Sequence, residues 1–155
     1  INNTQTSKMR FNDYINMVNS HWTGFLRFEL THMECDFSNK YSIQYLSDYF
    51  NTDFNDYTNS YQILNGILIM RKNRFTIDFF SKNLEIVEKN PSIHTDIYTK
   101  ENEKHRHDQS LMSLLYKHMN GSLILKDETW FGGNNGKFGS IESKKYPFWA
   151  TRLKN

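Results

Sequence analysis

The sequence predicts an α/β protein, a small sheet with helices packed on it. Three observations carry that expectation. Tyr61 to Met70 is a nearly continuous apolar run, broken only by Asn65-Gly66, as in a strand covered on both faces. After a polar turn at Arg71 to Arg74, the stretch Phe75 to Val87 places Phe75, Phe79, Phe80, Leu84 and Val87 on one helical stripe. A second helical pattern starts at Asp108, with Leu111, Met112, Leu114 and Leu115 behind it. It stops at Asn120-Gly121, and a short strand, Ser122 to Leu125, follows.

The remaining elements fall in order around these. Phe11 to Val18 carries Phe11, Tyr14, Ile15 and Val18 at helical spacing, and Gly24 ends that unit. Phe25 to Leu30 alternates partly, as a strand does. Ser42 to Phe50 reads as a helix with Ile43, Leu46 and Phe50 on one face. Asn51 to Ser60 is rich in Asn, Asp and Thr and reads as a loop. Pro91 lies just past the Phe75 helix, and Ser92 to Glu103 is a polar connection. Trp130 to Ser140 is a glycine-rich loop. It is not a phosphate loop, because no Lys-Ser/Thr pair and no helix pattern follow it. Tyr146 to Leu153 is an aromatic and basic tail. Trp130, Phe131, Phe148 and Trp149 read as packing aromatics, with stacking on sugar faces as the alternative.

At 155 residues the chain is expected to be a single domain, or a fragment of one, over 1–155. Its hydrophobic fraction of 37% is low and its aromatic fraction of 15% is high, so Phe and Tyr must fill space that Leu and Val usually fill. The net charge of +2 comes from dispersed Lys and Arg, which argues against a nucleic-acid partner. Cys35 is the lone cysteine, so an intrachain disulfide and a multi-cysteine zinc site are excluded. No apolar run has membrane-spanning length and no signal peptide is visible, so the expectation is a cytoplasmic protein with no membrane span. A chain that begins at Ile1 reads as trimmed, processed or cut from something longer. The sequons Asn2-Asn3-Thr4 and Asn120-Gly121-Ser122 are expected by chance in so Asn-rich a chain.

The chemistry concentrates in His105-Arg106-His107-Asp108-Gln109-Ser110, at a helix start where backbone N–H groups and a partial positive charge can hold an anionic group. An H-x-H pair can place two imidazoles on one metal, but the H-x-H-x-D-H hydrolase pattern fails at Gln109 and Ser110. The other reading of the pair is a solvated basic turn. Asp108 reads either as an N-cap or as a carboxylate at the mouth of a cleft, where it would bind sugar hydroxyls, stabilise a developing cation or accept a proton. Gln109 adds a neutral donor and acceptor.

Gln62, Asn65-Gly66 within its apolar strand, the Phe75 helix and then His105 to Ser110 together resemble the C-terminal half of a glycosyltransferase family. That family occurs in polysaccharide gene clusters and large viruses, and it is similar to nucleotide-sugar transferases of the GT-A type. Tyr146-Pro147-Phe148-Trp149-Ala150-Thr151-Arg152 resembles the family's C-terminal end. The resemblance runs from about Gly24 onward. It implies a GT-A-like mixed sheet flanked by helices, of which this chain is the acceptor-side part. It implies transfer of a sugar from a nucleotide-sugar to a glycan acceptor, with Asp108 as the catalytic carboxylate. Gln62, Asn65, Gly66, His105, Arg106, His107 and Gln109 are then the substrate-binding residues. Arg106 or a histidine would balance the diphosphate leaving group. Gly66 would let the strand backbone approach substrate, with close packing or a bulge as the alternative reading. Such enzymes hold Mn²⁺ or Mg²⁺ on a D-x-D motif, and none occurs here. Glu34-Cys35-Asp36 comes nearest and reads as a solvated turn. The motif is therefore expected outside the chain. The rival expectation is a non-catalytic remnant that binds carbohydrate or a partner.

Overall fold

The structure, a computed structural model, describes residues 11–129 and 147–148. It is a mixed α/β arrangement in the order α1 (Phe11–Ser20), β1 (Phe25–Met33), α2 (Lys40–Phe50), α3 (Asn55–Thr58), β2 (Tyr61–Met70), α4 (Arg74–Lys89), α5 (His107–His118) and β3 (Ile124–Lys126). Single 3-10 turns sit at Glu34–Asp36 and Pro91–His94. The sheet order is β2-β1-β3, with β1 antiparallel to β2 and parallel to β3. Among the described residues no helix is long and apolar enough to cross a membrane. The glycine-rich loop from Trp130, the sequon at Asn2 and the tail other than Pro147 and Phe148 lie outside the described residues.

Alternation along β1 sends its side chains to two cores. Phe25 points to a core built with Ile43, Leu46, Ile63, Phe79, Ile86 and the apolar residues of α5. Leu26 and Phe28 point to a second core, where Tyr14 and Val18 of α1 cover the other face. Phe148 joins that core, with its ring 5.4 Å from Tyr14. Helices therefore lie on both faces of the sheet, α1 on one and α2, α4 and α5 on the other.

Local chemistry sets the helix ends. Asn39 accepts from the Ser42 N–H at the start of α2, and Asn51 ends that helix in the left-handed region at φ 50°. Asn73 and Thr76 form a capping box at the start of α4.

Two expectations are corrected. β2 packs on both faces, with Ile63 in one core and Ile69 in the other, but the cover is partial: Tyr61, Gly66 and Met70 are exposed. An edge strand with one partner leaves part of its surface to water. The Asn51 to Ser60 stretch is not all loop, because Phe54 is fully buried and anchors the turn of α3.

Candidate functional site

Pairing between β1 and β2 breaks at two places, between Glu29 and Met33 and between Leu26 and Phe28, and the second of these lies at the site. Leu26 pairs with Ile69 and Phe28 with Leu64, so Asn65 to Leu68 lie opposite the single residue Arg27. Beside this bulge Asn65 reaches the N-terminus of α5. A Cβ built on Gly66 would meet only Leu64 Cδ1, at 3.8 Å, so close packing does not explain this glycine.

The residues singled out from the sequence meet here. Gln62 Oε1 accepts from Arg106 Nη1 at 3.1 Å and from Gln109 Nε2 at 2.7 Å. Asn65 Nδ2 donates to Asp108 Oδ2 at 2.5 Å, and its backbone N–H points to Gln109 Oε1 at 3.4 Å. The Arg106 guanidinium lies 3.7 Å above the Phe37 ring. Asp108 is exposed at the mouth.

Three expected roles change. Gln62 is completely buried, so it cannot face a substrate; it fixes Arg106 and Gln109 instead. His105 is a strut: Nε2 donates to the Ile93 carbonyl at 2.8 Å and Nδ1 accepts from the Asn39 N–H at 3.5 Å. Burial lowers its pKa below the ordinary histidine value, which favours this neutral, doubly bonded ring. Asp108 is not an N-cap either. The helix begins at His107, and Arg106 holds the cap position without a side-chain cap bond. Asp108 is thus left to point outward. His107 takes φ 42°, a left-handed conformation that costs a non-glycine residue about 1 kcal/mol or more. Its ring lies 3.1 Å from Asp96.

Beneath this mouth is a polar floor that the sequence reading missed. Glu34, expected in a solvated turn, is fully buried. Its carboxylate accepts from Ser38 Oγ at 2.6 Å, Gln62 Nε2 at 3.0 Å, Lys117 Nζ at 2.6 Å and the Ser113 hydroxyl. Burial lowers the Lys117 pKa, while the Glu34 charge pulls it back up. Ser110, Ser113 and Lys117 recur at spacings of three and four among the apolar residues of α5 from Leu111 to Tyr116. That polar stripe was the available signal.

Arg27 is the second missed residue. It is fully buried and donates through Nε and Nη2 to the Leu64 carbonyl at the bulge, and Nη2 lies 3.4 Å from Asn65 Oδ1. Its guanidinium also faces the Phe25 and Tyr116 rings. Burial pulls its pKa down to about 10, so it stays charged at neutral pH. Arg27, Asn65 and Asp108 form a line from buried cation to exposed carboxylate. His94 completes the surround: its Nε2 is buried without a hydrogen-bond partner, and burial holds the ring neutral.

The arrangement can hold hydroxyl groups and accept a proton at Asp108, with a fixed positive charge behind it. It does not fit Mn²⁺ or Mg²⁺. Glu34 is buried and fully bonded, Asp36 is exposed, and no group of three or more His, Cys, Asp or Glu among the described residues could hold a metal ion. Comparisons with family models, curated proteins and solved structures found no match to this chain.

Proposed function

We propose that the chain is the acceptor-side part of a GT-A-like glycosyltransferase, moving a sugar from a nucleotide-sugar to a glycan acceptor. The observation that supports this is the convergence of Asn65, Gln109 and Asp108 on one mouth from segments more than forty residues apart in sequence. In this reading Asp108 takes the proton of the acceptor hydroxyl as its oxygen attacks the anomeric carbon. The bond from that carbon to the diphosphate breaks, and the leaving group keeps the electron pair. Asn65 orients the carboxylate, and Arg27 holds a compensating charge behind it. Gln62 keeps Arg106 and Gln109 in place without touching substrate.

The test is Asp108→Asn in the full-length protein. The variant keeps the size of the side chain and loses the base, so transfer is expected to fall by about 100-fold or more. Transfer within a few-fold of the parent would overturn the role of Asp108.

The second reading, a glycan- or partner-binding remnant, is favoured by the lack of a divalent-cation site among the described residues. Calorimetry of this chain with nucleoside diphosphates and Mn²⁺ separates the two. Binding supports a donor site, and its absence with glycan binding retained supports the remnant.

A further inference from the structure

A second cavity, of about 450 Å³, opens between the start of α4 and the loop before β1, with Met119 beyond α5 on its wall. The twelve residues of α5 span about 18 Å, so this cavity lies far from Asp108 at the opposite end of that helix. Trp22 stands at its edge with 60% of its surface exposed.

The loop that carries Trp22 is firmly held. Asn73 Nδ2 donates to the Trp22 carbonyl at 3.3 Å and the Thr23 carbonyl at 3.0 Å, while Asn73 Oδ1 caps α4. The Gly24 N–H reaches the His21 carbonyl at 3.0 Å, and the Arg71 N–H reaches the Gly24 carbonyl at 2.7 Å. Gly24 has φ 54°, and a Cβ there would come within 2.6 Å of Asn73 Nδ2. Phe75 supports the indole edge-on at 5.3 Å. A large apolar ring is thus presented to solvent in a fixed position, which lowers the ordering cost of binding against it.

The polar lining has a definite sign. Among the described residues the Arg71 guanidinium makes one hydrogen bond, at 3.5 Å to the His21 carbonyl. Arg74 is bound to Asp78 through Nε alone and its side chain is 89% exposed, so the outer guanidinium nitrogens face solvent. Two guanidinium groups and one carboxylate leave a single excess positive charge. That balance suits a ligand with one anionic group, and the carboxylate repels a polyphosphate while accepting from hydroxyls.

We propose that this cavity binds an acidic saccharide. One face of the sugar ring lies on Trp22, its carboxylate is taken by the Arg71 and Arg74 forks, and its hydroxyls donate to Asp78. The site is independent of the reading given to Asp108.

The test is an NMR titration of the Trp22 indole N–H, identified by its loss in Trp22→Phe. The probes are glucuronic acid, galacturonic acid and N-acetylneuraminic acid, with glucose and UMP for comparison. A saturable shift with at least one acidic sugar is expected, with glucose binding about tenfold or more weaker. Arg71→Gln is expected to reduce the acidic sugar to the level of glucose, and Asp108→Asn to leave the titration unchanged. The proposal is overturned if no acidic sugar shifts the resonance, or if glucose binds equally well. It is also overturned if UMP binds more tightly than every acidic sugar, which would assign the cavity to a nucleotide.

Discussion

Replacing Lys117 by Met should destabilise the protein by about 3 kcal/mol, and adding Glu34→Gln should restore most of the loss. Glu34 has no exposed surface and the Lys117 side chain is 11% exposed, with 2.6 Å between Nζ and Oε2. Removing one partner of such a buried pair typically costs about 3–5 kcal/mol, because a charge stays buried without compensation. Ser38, Gln62 and Ser113 still donate to the carboxylate, which places the expected cost at the low end. Methionine fills much the same volume, so no large cavity adds to it. For a chain of this length the loss corresponds to a fall in Tm of about 6–12 °C. In the double variant both charges are gone, and the amide introduced in place of the Glu34 carboxylate can still accept from Ser38 and Gln62 and donate to Ser113. Its stability should lie within about 1 kcal/mol of the parent. Urea unfolding followed by circular dichroism measures all three proteins. A single variant within about 1 kcal/mol of the parent, or a double variant no better than the single, would refute the view that Glu34 and Lys117 form an interdependent buried pair.

Two further outcomes follow from the same geometry. Burial lowers the pKa values of His94, His105 and His118 from 6.5, so the unfolded chain takes up protons before the folded one does. Their contribution is complete above pH 6.5 and is lost as the pH falls through the folded values. The urea midpoint should therefore be lower at about pH 5.5 than at about pH 7.5, with a shallower dependence in His105→Gln; a midpoint that rises on acidification contradicts this. Gly66→Ala should leave stability unchanged or raise it by up to about 1 kcal/mol, since the added methyl meets only Leu64 Cδ1 at 3.8 Å. A loss above about 1 kcal/mol would mean that the bulge itself requires glycine, and a loss of transfer or glycan binding alone would assign the open space to the ligand.

What could be read from the sequence was local. The apolar run of β2 and the stripes of α4 and α5 follow from side-chain periodicity, which neighbouring residues set. Asp108 and Gln109 also stood out as polar groups at a helix start, and Asn65 through the family resemblance. Glu34 did not stand out. Its burial depends on Ser113 and Lys117, 79 and 83 positions away, and nothing in Glu34-Cys35-Asp36 anticipates donors that distant. Arg27 was hidden for a related reason: a strand position that looks amphipathic becomes wholly internal when the opposite strand bulges over it. His105 misled in the other direction, since a ring braced between Ile93 and Asn39 has the same sequence signature as one left open for chemistry.

The bulge opposite Arg27 also bears on how the chain behaves at high concentration. β2 is a ten-residue strand at one edge of the described sheet, and half-buried Ile67 and Leu68 lie on it. A flat edge of that length and composition is a template for strands of other copies and invites fibrous growth. The irregularities at Leu26/Phe28 and Glu29/Met33 leave three short stretches of pairing in place of one continuous ladder, and the Leu64 carbonyl is already occupied by Arg27. An incoming strand therefore finds no continuous row of groups in one register. The irregularity that aims Asn65 at Asp108 also guards this edge against self-association.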